Sequence, residues 1–210
     1  VMPRMSAFPG PMHRRFAFWL IALLVPVGAV AQPRIEVARD GAAYVVRAEV
    51  DLAADRRTAW YTITDYEHLP QFVPGIQSAQ VLARSGGSGT ERLLIEQTGE
   101  FRFFWFAQPV RVWLDVKHEA PVRVEARSVL PSGVDRSRST VREYEGRYRL
   151  TVIDASRTRL VYEARFEPSQ ALLPVLGDYV VRRTISGQFR ALTDEVERRA
   201  AERRLEQAAR

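Results

Sequence analysis

In five separate stretches of this chain, apolar and polar side chains alternate with a period of two. Tyr44, Val46, Ala48, Val50 and Leu52 alternate with Val45, Arg47, Glu49 and Asp51. The same comb recurs over residues 109–117, 122–130, 144–152 and 158–167, with arginine the commonest residue on the polar side. Successive side chains of an extended chain point to opposite faces, so each stretch reads as a strand with one dry and one wet face. Residues 76–84 and 90–98 add two strands, joined by a hairpin loop at Ser85-Gly86-Gly87-Ser88-Gly89. Many such strands in succession predict an antiparallel sheet covered on one side only. The alternating arginines are then a solvated face and not a phosphate-binding patch.

The cover comes from the C-terminus. Between about Leu176 and Gln207 there is no proline, and Ile185, Phe189, Leu192 and Val196 fall at helical spacing. At about 1.5 Å per residue this helix would run about 48 Å. Its last part, residues 201–210, is polar and is expected to protrude as a tail.

The N-terminus reads differently. A basic start (His13, Arg14, Arg15), an apolar run from Phe16 and Ala29-Val30-Ala31 follow the plan of a secretory signal peptide cut before Gln32. The 16 apolar positions, which include Pro26, are short for a membrane span. The expectation is therefore a periplasmic or secreted protein, with an anchor formed by an uncleaved leader as the alternative. Residues 1–11 could lie upstream of the true start, since Met2, Met5 and Met12 are all candidate initiators. Residues 32–41 read as a linker and 42–200 as one domain. The formal charge of +6 drops to +3 once the three leader arginines are removed. Lys117 is the only lysine, and nothing in this balance points to nucleic acid. There is no cysteine, hence neither a disulfide framework nor thiolate chemistry.

Between the first comb and the hairpin lies TITDYEHLPQFVPGI, residues 62–76. Asp55 can cap a short helix through Ile63; Asp65 can cap a second from Tyr66 to about Phe72, stopped by Pro74-Gly75. Two short helices after the first strand, a meander and one long terminal helix make an α+β helix-grip arrangement, a curved antiparallel sheet wrapped around its C-terminal helix.

Residues 59–82, AWYTITDYEHLPQFVPGIQSAQVL, closely resemble the W-x-x-x-T-D-Y-x-x-L-x-x-F-x-P segment of the START-like (SRPBCC) superfamily. The matching residues are Trp60, Thr64, Asp65, Tyr66, Leu69, Phe72, Pro74 and Val81-Leu82. Thr158-Arg159-Leu160-Val161-Tyr162 and Phe189-Arg190-Ala191-Leu192 resemble its later strand and final helix. The nearest branch is the polyketide cyclase/dehydrase and coenzyme Q-binding (lipid transport) type. The chain departs from many relatives in its leader and in the aromatic burst FRFFWF, residues 101–106. The resemblance implies a cavity between sheet and helix more than a fixed chemistry.

The candidate lining follows. Tyr66 is either a half-buried ring beside a cap or a hydroxyl at the cavity mouth. By alternation Leu93, Ile95 and Gln97 face inward, and a buried Gln97 is either satisfied in the core or turned to a ligand. Phe103 and Trp105 share one face of the burst, as core or as a greasy wall. Phe72, Val112, Leu114, Tyr148, Tyr162 and Phe189 complete the set. His68 and His118 read as solvated, without metal spacing, and no phosphate loop, dinucleotide fingerprint or nucleophile elbow is present. No metal or cofactor is expected. The leading function is non-covalent carriage of an apolar molecule: a lipid, isoprenoid quinone or polyketide, with transient contact to a membrane. A cyclase or dehydratase is the alternative, with tyrosine the only acid–base candidate on the inward faces. An envelope adaptor is the third reading.

Overall fold

The computed structural model describes residues 32–87, 90–103, 106–170 and 174–210; the side chains of 101–106 and 171–176 are outside that description. Residues 1–31, which carry the expected leader, are outside it as well. The described chain is an eight-stranded sheet in the order β1-β2-β8-β7-β6-β5-β4-β3, with every neighbour antiparallel. The strands are β1 (Arg34–Asp40), β2 (Ala43–Leu52), β3 (Ile76–Gly87), β4 (Thr90–Phe103), β5 (Phe106–Glu119), β6 (Arg123–Ser128), β7 (Val141–Val152) and β8 (Thr158–Pro168). Helix α1 (Arg56–Ile63) and the short α2 (Leu69–Phe72) follow β2, and α3 (Pro174–Ala208) closes the chain. This is the α+β helix-grip fold expected from the alternation.

The alternating faces sort as the pattern requires. Tyr44, Val46, Ala48, Val50 and Leu52 are buried, as are Leu160, Tyr162, Ala164 and Phe166 on β8. They meet Phe189, Leu192, Val196 and Ala200 of α3 in one core. The polar faces are laced with ion pairs such as Arg159–Asp51 (2.7 Å) and Arg127–Asp115 (2.9 Å). The outer groove of about 440 Å³ lined by Arg92, Asp115, Glu125, Arg127, Arg147 and Glu163 is a solvated face of paired charges.

Two expectations are corrected. Residues 34–40, read as part of a linker, form β1, which pairs with β2 along its whole length. Its alternation is weak because only Ile35 and Val37 reach the core. The aromatic burst does not lie in one strand: β4 ends at Phe103, β5 begins at Phe106, and these two residues pair. It therefore spans a hairpin connection, where strand parity no longer assigns faces. The side chains of Phe103 and Trp105 lie outside the described residues.

The connector is fixed from both sides. Asp55 caps α1 as expected, accepting from the Thr58 amide at 3.0 Å. Gly75 adopts φ +83°, and its carbonyl accepts from the Glu100 amide at 2.8 Å, seating the connector on β4. Asp65 makes no side-chain cap. Its carboxylate instead accepts from His68 (2.6 Å) and from Arg199 of α3 (2.8 Å), while Arg199 also reaches Glu195 (2.6 Å) and lies over the Phe72 ring. Gln188 of α3 donates to the Pro74 carbonyl at 3.1 Å. Connector and helix are thus one clamped unit.

Burial works to raise the Asp65 pKa, but hydrogen bonds from His68 and Arg199 outweigh it and hold the carboxyl below its usual range. Arg198 first, then Arg199, hold Glu195 at about 2. Both groups bind protons more weakly in the folded chain than in the unfolded one. Their contribution is complete above the ordinary carboxylate range and is lost as pH falls toward about 2. Melting temperature should therefore drop between about pH 4 and pH 2. In Arg199→Met the drop should start from a lower plateau and be shallower; parallel wild-type and variant curves would show that the clamp carries none of the acid sensitivity.

Candidate functional site

Helix α3 packs on α1 and reaches β1 and β2 on one side of the sheet and β4 on the other, bridging it like a handle. Beneath it the inner face is ordered in rows by strand register. The middle row consists of small and medium residues: Leu93, Val116, Ala126, Gly146 and Ala164. One neighbouring row runs Glu91, His118, Val124, Tyr148, Tyr162. On the other side Ile95 pairs with Leu114, Leu114 with Ser128, and Tyr144 with Phe166. Small side chains form the middle row and aromatic rings flank it on both sides. Leu114, Tyr144 and Tyr148 point inward yet keep accessible surface, whereas Val116, Val124 and Leu150 beside them are shut.

Gly146 has a specific task. A Cβ there would lie 2.2 Å from the Tyr144 Oη, so the missing side chain is what lets the Tyr144 ring lie back across its own strand. That ring reaches Tyr162, hydroxyl to hydroxyl at 3.2 Å. Tyr148 stacks on Tyr162 with centroids 4.5 Å apart, and Phe189 of α3 stacks on the far side at 6.2 Å. Burial first of all raises the pKa of Tyr66, Tyr144, Tyr148 and Tyr162, so all four remain neutral phenols in neutral water.

His118 overturns its sequence reading. It is buried, with 5% of its surface exposed, because its position on β5 has the inward parity of Val112, Leu114 and Val116. The connector supplies its lid: the Trp60 ring meets it edge-on at 5.4 Å and Tyr66 stacks on it at 5.7 Å. Its Nε2 is 2.7 Å from the Tyr66 Oη and its Nδ1 is 3.1 Å from the Glu91 Oε2. Burial lowers its pKa below 6.5; the neighbouring Glu91 opposes this without reversing it. The expectation that tyrosine was the only acid–base group facing inward is likewise corrected, since Glu91 and His118 join Tyr66 in one hydrogen-bonded line. The available signal was parity: His118 continues the apolar comb of 110–116 by two residues.

Of the other expected lining residues, Tyr148, Tyr162 and Phe189 come together in the aromatic stack, while Tyr66 stacks on His118. Leu114 is partly accessible, while Ile95 and Val112 are buried. Phe72 belongs to the clamp under Arg199. Gln97 points inward from β4 and stays partly accessible, and its side chain has no hydrogen-bond partner among the described residues.

The family described as polyketide cyclase / dehydrase and lipid transport matches residues 52–193. The chain belongs to this family. Solved structures share the fold at low identity. A START superfamily protein from Mycobacterium smegmatis is 20% identical over 73% of this chain and 97% of its own, with a TM-score of 0.55. The Zhui aromatase/cyclase from Streptomyces sp. R1128 is 19% identical over 75% and 95%, also at 0.55. A STAR-related lipid transfer protein fragment from Xanthomonas axonopodis is 17% identical over 77% and 98%, again at 0.55. No curated protein matches the chain.

Proposed function

We propose that this protein is an exported carrier that binds a hydrophobic small molecule, a lipid, isoprenoid quinone or polyketide, in a hollow between the sheet and α3. The observation that carries this reading is the set of inward-facing residues (Leu114, Tyr144, Tyr148) that pack against the core yet stay partly accessible. The family description and the kinds of protein that share the fold support it. Binding is driven by desolvation, at about 25 cal/mol per Å² of apolar surface withdrawn from water. The few polar groups in the wall set orientation. Solvent extraction of the purified protein followed by mass spectrometry should release a stoichiometric apolar compound. An empty extract, together with failure to take up any apolar probe, would refute the carrier.

The Tyr66–His118–Glu91 line favours a second reading, an enzyme of the cyclase or dehydratase type. A hydrogen-bonded phenol, imidazole and carboxylate can move a proton to or from a bound carbonyl compound. Turnover of an aromatic polyketide mimic, abolished in Tyr66→Phe, would support the enzyme over the carrier.

A further inference from the structure

One end of the fold carries an open groove of about 480 Å³ between α1, the turn from β5 to β6 and the turn from β7 to β8, lined by Arg56, Arg57, Trp60, Tyr61, Pro121 and Val152. Tyr61 and Val152 are half exposed, and the next residues along the two turns, Val122 and Ile153, are exposed as well. The Leu150 amide donates to the Val122 carbonyl at 2.8 Å, which ties the first turn to β7 beside the second. Exposed apolar side chains gathered from three elements mark a surface that meets something. The groove also carries one sign of charge. Arg56 and Arg57 stand in the first turn of α1, which holds no acidic residue and where the helix dipole disfavours a cation. Arg57 lies over the Tyr61 ring at 5.5 Å, and neither arginine has a carboxylate partner among the described residues. The nearby carboxylates are already matched: Asp154 by Arg157 (2.7 Å) and Glu119 by Arg123 (2.6 Å), while Asp55 caps α1. The chain enters the fold at this same end. Arg34 pairs with Glu49 near the Leu52 end of β2, and Leu52 pairs through Thr158 with Val152. The apolar run of residues 16–31 directly precedes that entry.

We infer that this end is a docking face for an anionic lipid bilayer, with Tyr61, Val122, Val152 and Ile153 entering the boundary between headgroups and acyl chains and Arg56 and Arg57 pairing with lipid phosphates. Such a bilayer presents one sign of charge over an apolar layer, which is the complement of this surface. A leader in the bilayer would hold this end against it. Trp60 is at once a wall of the groove and part of the lid over His118, so a docked bilayer lies one ring away from the inner row. The assignment rests on the carrier reading for its purpose, since an insoluble guest leaves from and returns to a membrane.

The chain has no cysteine, so a single introduced one can carry an environment-sensitive dye. In the full-length protein the dye on Val152→Cys is compared with the same dye on Ser132→Cys, between β6 and β7 at the other end of the sheet. Both positions are exposed, so neither substitution disturbs the core. With vesicles of phosphatidylcholine and phosphatidylglycerol, the Val152→Cys dye should brighten and be quenched by lipids brominated on their acyl chains. The Ser132→Cys dye should do neither, and phosphatidylcholine alone should give little response. In Arg56→Gln/Arg57→Gln the lipid concentration for half the response should rise about 30-fold, the scale for two arginines at an anionic surface. A silent Val152→Cys dye, or an equal response from Ser132→Cys, would overturn the docking face. An unchanged titration in the double arginine variant would overturn the anionic partner. A response that grows with protein concentration in the absence of vesicles would give the groove to a second copy of the chain and overturn the membrane. The dye needs no guest, so the two failures separate: a silent dye beside a released apolar compound leaves the carrier standing, and an empty solvent extract defeats the carrier whatever the dye reports.

Discussion

Gly99→Ala should destabilise the folded chain by about 3 kcal/mol, the upper range for a forced overpacking. A Cβ at Gly99 would lie 2.1 Å from the Gly75 carbonyl oxygen, 3.1 Å from its carbon and 3.2 Å from the Ile76 Cα. All three are backbone atoms, so no side-chain rotation relieves the overlap. β4 and the connector would have to separate, which strains the bond from the Glu100 amide to the Gly75 carbonyl. The connector carries Tyr66, so the line to His118 would loosen along with it. Gly87→Ala is the matched control: nothing lies within 4 Å of that Cβ, and its stability should stay within about 0.5 kcal/mol of wild type. Chemical denaturation of both variants reads the difference directly. Equal stabilities would mean that the approach of the two glycines does not hold the connector in place.

Trp60→Ala should cost about 3–5 kcal/mol, as removal of a buried large ring does elsewhere. Trp60 is 7% exposed and belongs to the core. Its second consequence is electrical. The indole is part of the lid over His118, and burial is the leading cause of that histidine's low pKa. With the ring gone, water reaches the imidazole and its pKa should rise toward the ordinary 6.5. The sign for stability follows. In the wild type His118 binds its proton less readily folded than unfolded, so its contribution is complete above about pH 6.5 and is lost as pH falls through the folded value. The variant should lose this slope. Should it fold too poorly for study, Trp60→Phe keeps most of the volume and should show the same shift in smaller measure. Titration of His118 by NMR gives the answer, and an unmoved pKa would assign its desolvation to the strands instead of the lid.

The inner and outer faces of β2 and β8 were legible in the sequence, because in a sheet covered on one side burial follows parity; on β5 the outward Trp113 is buried as well. The period of Phe189, Leu192 and Val196 likewise placed the buried stripe of α3. Strand β1 was obscured because an edge strand with two core contacts needs little apolar pattern. The aromatic burst misled because parity holds within a strand and resets across a hairpin connection. The arrangement within the site came from farther apart. Glu91, His118, Tyr148 and Tyr162 share a row only through the register of four strand pairs. Tyr66 reaches that row because Gly75, Gly99 and the Asp65–Arg199 pair hold the connector against sheet and helix. Local alternation and helical period thus determined the elements and the residues they bury, since those depend on near neighbours in the chain. The tertiary structure alone decided that a histidine at a strand end is buried beside a tyrosine 52 residues away, because hydrogen bonding and desolvation depend on distances in space.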